Sequence, residues 1–163
     1  MTTVAAHELS MQLMREREML ELLLFKLDVQ QMLVATGRNR WVQHAANEVE
    51  RVLAAMPATA ITRDTLVVAV ADEWGVPEAT SLRELIDAAP TDAWREIFTG
   101  HLEALLALAA EITEMKAINE QRLRTALRIV QETIAALDNS TGEYDPSGEV
   151  IRPSGSHILD TRA

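Results

Sequence analysis

The first part of the chain carries a helical pattern of apolar residues. Apolar side chains recur every three or four positions, and no Gly or Pro interrupts the stretch from Val4 to Val34. This spacing places them on one face of an α-helix. Gly37 can adopt the left-handed conformation that follows many helices, and Asn39 can cap the next helix. The pattern therefore predicts a first helix over residues 4–36.

Shorter elements are predicted in the middle of the chain. A second amphipathic pattern runs through residues 40–56. Pro57 is expected to end this helix, because proline lacks a backbone N–H and restricts the residue before it. A short helix over residues 66–74 can then be capped by Thr62 or Thr65, and Gly and Pro close it.

Two start signals precede the longest pattern. Ser81 and Glu84 have the spacing of a capping box, which predicts a helix of about two turns. A further start signal lies at Pro90–Asp92, and from there to Leu137 the chain has one Gly and no Pro. We therefore predict a long helix over residues 92–137, which needs partner helices along its length.

The apolar stripe of this long helix changes phase once. Its first part alternates steps of four and three residues from Trp94 to Asn119. One extra residue then turns the stripe by about 100°. Either both parts are core of a bundle that bends, or the second part awaits a helix of another protein. We call this second part the late stripe, and its members are Leu123, Leu127, Val130, Ile134 and Leu137.

These elements predict an all-α fold. We expect an elongated antiparallel helical bundle or coiled coil over residues 1–138, with shorter helices between the two long ones. The two long helices are expected to pair with each other in antiparallel orientation. From residue 139 to residue 163 the chain is rich in Gly, Pro, Ser and Thr, so this segment is expected to be a flexible tail.

Composition and charge argue against several classes of protein. Aromatic residues make up only 4% of the chain, which disfavours an all-β fold. The net charge of −10 repels a phosphate backbone, so we expect no nucleic-acid partner. No apolar run approaches the roughly 20 residues of a membrane span, and no signal peptide is evident. We therefore expect a cytoplasmic protein without membrane insertion.

Catalytic and metal-binding patterns are also missing from the sequence. It has no cysteine, and its four histidines are scattered without the Glu-x-x-His spacing of di-iron bundles. Neither a glycine-rich phosphate loop nor a Gly-x-Ser-x-Gly elbow occurs. We expect no catalytic residues, no metal site and no cofactor, and hence no enzyme.

The C-terminal segment contains one aromatic residue. Tyr144 is the only tyrosine of the chain and opens a Tyr-x-x-x-Gly segment that ends at Gly148. An exposed aromatic on a flexible segment either has no role or anchors a short binding motif. The residues alone leave both interpretations open.

In their order, these features resemble the FlgN family of flagellar export chaperones. The resemblance covers roughly residues 8–150. It rests on five features: an Arg-, Glu- and Leu-rich segment at 15–23, a Gly-marked turn at 35–37, Leu-x-Glu-Leu at 82–85 followed by Pro90 and Trp94-Arg95, Asn119 in the long helix, and the segment Tyr144 to Gly148.

The resemblance implies a cytoplasmic chaperone of the flagellar type III export system. Its cargo would be hook-associated proteins of the hook–filament junction, FlgK-like and FlgL-like, bound through the late stripe. Its second partner would be the cytoplasmic domain of the export gate, docked through Tyr144 and Gly148. The alternative is a homodimeric helical scaffold without cargo, in which the late stripe pairs with its own copy.

Overall fold

The computed structural model describes residues 3–141, and every regular element in this range is an α-helix. Helix α1 spans Val4–Ala35, α2 spans Asn39–Trp74, α3 spans Leu82–Asp87 and α4 spans Asp92–Thr141. The described residues contain no strand. The predicted fold class, an all-α helical bundle, is confirmed.

The chain divides into two compact units. The first unit is Met1–Leu123 and contains α1, α2, α3 and the first part of α4. The second unit is Arg124–Ala163, of which the structure describes residues 124–141, all of them helical.

Helices α1 and α2 form an antiparallel hairpin. Gly37 has a φ of 69°, as predicted for a residue that follows a helix. Arg38 N–H donates to the Leu33 carbonyl at 2.9 Å, which closes the turn tightly. Helix α2 therefore begins one residue earlier than expected. Asn39 is the first residue of α2, so the prediction that it caps α2 is wrong.

Pro57 lies inside α2, so the prediction that it ends the second helix is wrong. Proline removes one backbone hydrogen bond from a helix, but bonds to α1 stabilise the turns of α2 that follow Pro57. Gln12 Nε2 donates to the Thr59 carbonyl at 3.1 Å, and Arg63 Nη1 donates to Glu16 Oε2 at 2.9 Å. These tertiary bonds offset the local effect of the proline, and α2 continues to Trp74.

The two threonines predicted as caps instead lie within α2. Thr62 Oγ1 donates to the Ala58 carbonyl at 3.0 Å, and Thr65 Oγ1 donates to the Ile61 carbonyl at 2.9 Å. Such bonds to the preceding turn are typical of threonine in a helix interior. Helix α2 ends before Gly75, whose φ is 72°, and the predicted stop there is confirmed.

Within the first unit, α1 and α4 run parallel to each other. Ser10 Oγ lies 3.0 Å from His101 Nε2, and Asn119 Nδ2 donates to the Leu27 carbonyl at 2.9 Å. The residue numbers increase together along both helices, so the prediction that they form the antiparallel pair is wrong. Because α2 is unbroken, it returns the chain to the start of α1, and α4 begins there. Helix α2 is the antiparallel member of the bundle.

The largest cluster of buried side chains lies near the start of α1. The ring centroid of Phe98 is 5.7 Å from that of Trp74 and 5.5 Å from that of Trp94. A smaller cluster follows nearer the α1–α2 turn. The larger cluster includes Leu9, Leu13, Val67, Val70, Leu85 and Phe98, and the smaller one contains Leu23, Leu27 and Val52.

Short polar contacts fix the helix starts at this end of the first unit. The predicted capping box is confirmed, since Glu84 N–H donates to Ser81 Oγ and Ser81 N–H donates to Glu84 Oε2. Helix α1 has no side-chain cap of its own. Instead, Ala5 N–H donates to Glu73 Oε2 of α2 at 2.8 Å, so a carboxylate from a neighbouring helix occupies its N-terminus.

By length and composition, α2 is the one described helix that could cross a membrane, with a mean hydropathy of 1.3 over its most apolar window. This is weak evidence for a span. The helix bonds to α1 through Thr59 and Arg63 and carries Asp64 next to that arginine.

Candidate functional site

Four of the five late-stripe residues lie in the second unit, on one face of α4. At about 100° per residue, Leu127, Val130, Ile134 and Leu137 fall within an arc of about 80°. Their exposed fractions are 61%, 46%, 54% and 61% in that order. Contiguous exposed apolar side chains of this size are uncommon on soluble monomers and mark interaction surfaces. Among residues 124–138, none is buried and only Ala126 is half-buried.

The opposite face of this part of α4 carries an ion pair. Arg128 Nη1 donates to Glu132 Oε1 at 2.8 Å, one helical turn apart, and both side chains are well exposed. Such a pair contributes only a few tenths of a kcal/mol, about 0.3–0.5. Its position nevertheless makes the helix amphipathic, with one face suited to water and one suited to a partner.

Sequence reasoning missed Ile129, which is also exposed. It lies about 100° from Val130 and therefore falls outside the four–three spacing. A count of apolar residues in this turn, without the requirement for a single stripe, would have found it. Ile129 lies about 120° from the centre of the row formed by the four exposed late-stripe residues, on the side of Glu132, so it is not part of that row.

Leu123, the first residue of the late stripe, has a different environment. It belongs to the first unit, is half-buried and lines a cavity of about 190 Å³ with Leu27 and Asn119. Asn119 donates from Nδ2 to the Leu27 carbonyl and, at 3.3 Å, to Gln30 Oε1. Its Oδ1 is buried without a partner among the described residues. Leu123 is therefore less exposed than the other four residues of the late stripe.

The two residues predicted to dock on the export gate lie outside the described residues. These are Tyr144 and Gly148, both beyond the end of α4 at Thr141. Their role stays a prediction.

A second concave surface, which the sequence did not predict, lies in the first unit. It is a groove of about 800 Å³ between α1, α2 and α4. Pro57 is part of its wall, and Glu16 and Arg63 form its polar edge. The groove depends on an unbroken α2, and the predicted break at Pro57 therefore concealed it. Its apolar lining includes Met19, Leu20, Leu53, Leu102, Leu105 and Leu106.

The nearest approach to catalytic geometry among the described residues is the pair of Ser10 and His101. Burial, and secondly the charge of Arg17, lower the pKa of His101 below its usual value of 6.5. No carboxylate within residues 3–138 hydrogen-bonds to this ring, so no acid completes a triad. Over the same described range, no group of three or more His, Asp or Glu side chains could hold a metal ion.

Comparison with known proteins places this helical bundle in a family. A family model described as FlgN protein matches residues 1–150, which include the first unit, the described part of the second unit and the Tyr-x-x-x-Gly segment. The curated proteins and the solved structures gave no match. The family model covers most of the chain, and the resemblance inferred from the sequence is confirmed. The chain belongs to the FlgN family, a family of cytoplasmic flagellar export chaperones.

Proposed function

We propose that this protein is an export chaperone that binds hook-associated proteins, FlgK-like or FlgL-like, through the late stripe of α4. The single observation that carries the proposal is the exposed apolar row of Leu127, Val130, Ile134 and Leu137 in a member of the FlgN family. We infer that the chaperone works in the cytoplasm and delivers its cargo to the export gate.

The chemistry of this surface suits an amphipathic helix of the cargo. We infer that an unassembled junction protein carries an apolar helix face, and such faces aggregate when left in water. Laying that face on α4 removes both apolar surfaces from water in the helix-on-helix manner. The chaperone's own polar face and its net charge of −10 keep the complex soluble.

The expected strength of the contact follows from the exposure of the four side chains. Full burial of such a side chain contributes about 1.5–3 kcal/mol, and roughly half of that remains to be gained here for each residue. The four together supply about 3–6 kcal/mol, and burial of the cargo's own apolar face adds a comparable amount, before the entropic cost of association is subtracted. This favours a reversible complex, which suits a chaperone that must release its cargo for export.

The test compares Ile134→Asp with Ala136→Asp, which places the same carboxylate on the other face of α4. Binding to a purified hook-associated protein is measured by titration calorimetry, and folding by thermal melting. We expect Ile134→Asp to lose about 2 kcal/mol of binding or more, roughly thirtyfold, from lost burial and a desolvated carboxylate. Ala136→Asp should bind like wild type, and both variants should melt like wild type.

Two other outcomes would contradict the proposal. If Ile134→Asp loses its cooperative melt, the late stripe is part of the core. If wild type is a tight dimer that binds no hook-associated protein and Ile134→Asp is a monomer, the protein is the homodimeric scaffold.

We further propose that Tyr144, with Gly148 closing its motif, docks on the cytoplasmic domain of the export gate. An aromatic anchor of this kind can contribute about 2 kcal/mol to an interface. Tyr144→Ala should therefore weaken binding to the gate domain while the melting temperature and the cargo affinity stay unchanged. If wild type and Tyr144→Ala bind the gate domain with equal affinity, Tyr144 is not part of the docking site.

A further inference from the structure

The turn between α1 and α2 carries a surface that the proposed cargo binding does not use. Met32, at the end of α1, and Trp41, in the first turn of α2, are 57% and 43% exposed. Arg38 and Arg40 lie between them in the chain and are exposed as well. We call these four residues the hairpin-tip surface.

A slot next to this surface can accept an apolar side chain. It lies between α1 and α2, has a volume of about 310 Å³, and its apolar walls are Val29, Leu33, Ala45 and the ring of Trp41. A cavity of this size, walled by an exposed aromatic ring, is typical of the pockets that receive anchor residues at interfaces.

The charges around the slot are positive or neutralised. Residues 29–47 contain no Asp or Glu, although the chain has 25 acidic residues in all. The only carboxylate lining the slot is Glu48, and Lys26 hydrogen-bonds to it and lowers its pKa. Neither Arg38 nor Arg40 forms an ion pair with any described residue. This end of the hairpin is therefore a local anion-attracting surface on an acidic protein.

The geometry of Arg40 supports a binding role. The centre of its guanidinium group lies 4.5 Å from the centroid of the Trp41 ring. Stacking of this kind orders a long side chain and leaves the edge N–H groups of the guanidinium free to bond to a carboxylate. The Trp41 ring thus forms a wall of the apolar slot and also carries the cationic donor Arg40.

We propose that the hairpin-tip surface binds an acidic segment of a partner protein. An apolar side chain of that segment enters the slot, and flanking carboxylates bond to Arg38 and Arg40. Charge complementarity favours this partner over an anionic membrane, because membrane recognition by basic residues takes clusters of about four to eight. The surface shares no residue with the late stripe, so this inference does not depend on the proposed cargo.

The test uses the tryptophan indole signals in ¹H–¹⁵N spectra of the full chain. The probes are acidic nine-residue peptides with a central Phe, Leu, Met or Trp between runs of Glu and Asp. The controls are the same peptides with Lys for the acidic residues and acidic peptides with a central Ser. Vesicles containing phosphatidylserine test the membrane alternative. Trp74 and Trp94 pack together around Phe98, so their signals serve as internal references.

We expect at least one acidic peptide with an apolar centre to shift the Trp41 signal selectively, and the two control sets not to do so. Arg40→Glu should weaken that binding roughly fivefold or more. Arg83→Glu, the same reversal at an exposed residue of α3, should leave it unchanged. The proposal is overturned if no acidic peptide shifts Trp41 at about 1 mM. It is also overturned if Arg83→Glu has the effect of Arg40→Glu, or if only the vesicles bind.

Discussion

The ion pair between Arg63, which follows Pro57 in α2, and Glu16 of α1 predicts which of two substitutions destabilises the protein more. Arg63 Nη1 lies 2.9 Å from Glu16 Oε2, and the exposed fractions of the two side chains are 34% and 9%. The buried carboxylate also has one oxygen, Oε1, without a partner among the described residues. The two members are thus unequal, because Arg63 reaches water and Asp64 while Glu16 depends on Arg63. We predict that replacing the arginine costs much more stability than replacing the glutamate.

The expected changes in the free energy of unfolding show why the two single variants should differ. Arg63→Leu leaves a buried carboxylate without its cation, which costs about 2–4 kcal/mol, somewhat below the value for a fully buried pair. Glu16→Leu removes the pair but also the buried charge and its unpartnered oxygen, and it adds apolar contact. These effects nearly cancel, so this variant should lie within about 1 kcal/mol of wild type. The double variant should be more stable than Arg63→Leu.

Urea denaturation followed by circular dichroism measures all four proteins. The free energy of unfolding is obtained by linear extrapolation, and equal m-values show that the unfolded states are comparable. The double-mutant cycle then gives the coupling between the two side chains. Equal losses for both single variants would refute the reasoning, as would a larger loss for Glu16→Leu.

Two further predictions concern polar groups of the first unit. Asn119→Leu loses two hydrogen bonds but removes the unpartnered Oδ1 and adds apolar burial, so its free energy of unfolding should equal that of wild type or exceed it by up to about 2 kcal/mol. A loss above about 1 kcal/mol in urea would show that those bonds dominate. Hydrogen bonds from Thr80, and then from Ser81, lower the pKa of Glu84 below its usual 4.5. Its stabilisation is therefore present above pH 4.5 and is lost as the pH falls through the lowered pKa, so Glu84→Gln should flatten this part of the stability–pH profile.

Local signals predicted most of the helix boundaries. Val4–Ala35 begins and ends within one residue of the predicted helix, because an unbroken apolar period and a glycine fix it. Helix α4 also begins where it was expected. Its start signal is a real cap, since Trp94 N–H donates to Thr91 Oγ1 at 3.3 Å. In these places the residues that decide the structure are close together in the chain.

The predicted topology failed at Pro57 because the deciding contacts are distant in sequence. Gln12 and Glu16, more than 40 residues away, hold the turns of α2 that follow the proline. Once α2 is continuous, α1 and α4 must be parallel, which no property of either helix reveals. The groove beside Pro57 and the slot beside Trp41 escaped prediction for the same reason, since each has walls from separate helices. The late stripe lies on one helix, so its periodicity was visible in the sequence.

Hydrogen exchange of the full chain, with and without a purified hook-associated protein, tests the central claim most directly. Exchange read by mass spectrometry reports which amides become protected when a partner binds. Cargo capture by the late stripe predicts strong new protection in residues 124–138, centred on Leu127 to Ile134, with little change in α2. Protection confined to the groove beside Pro57, or none in residues 124–138 when the complex is saturated, would contradict it.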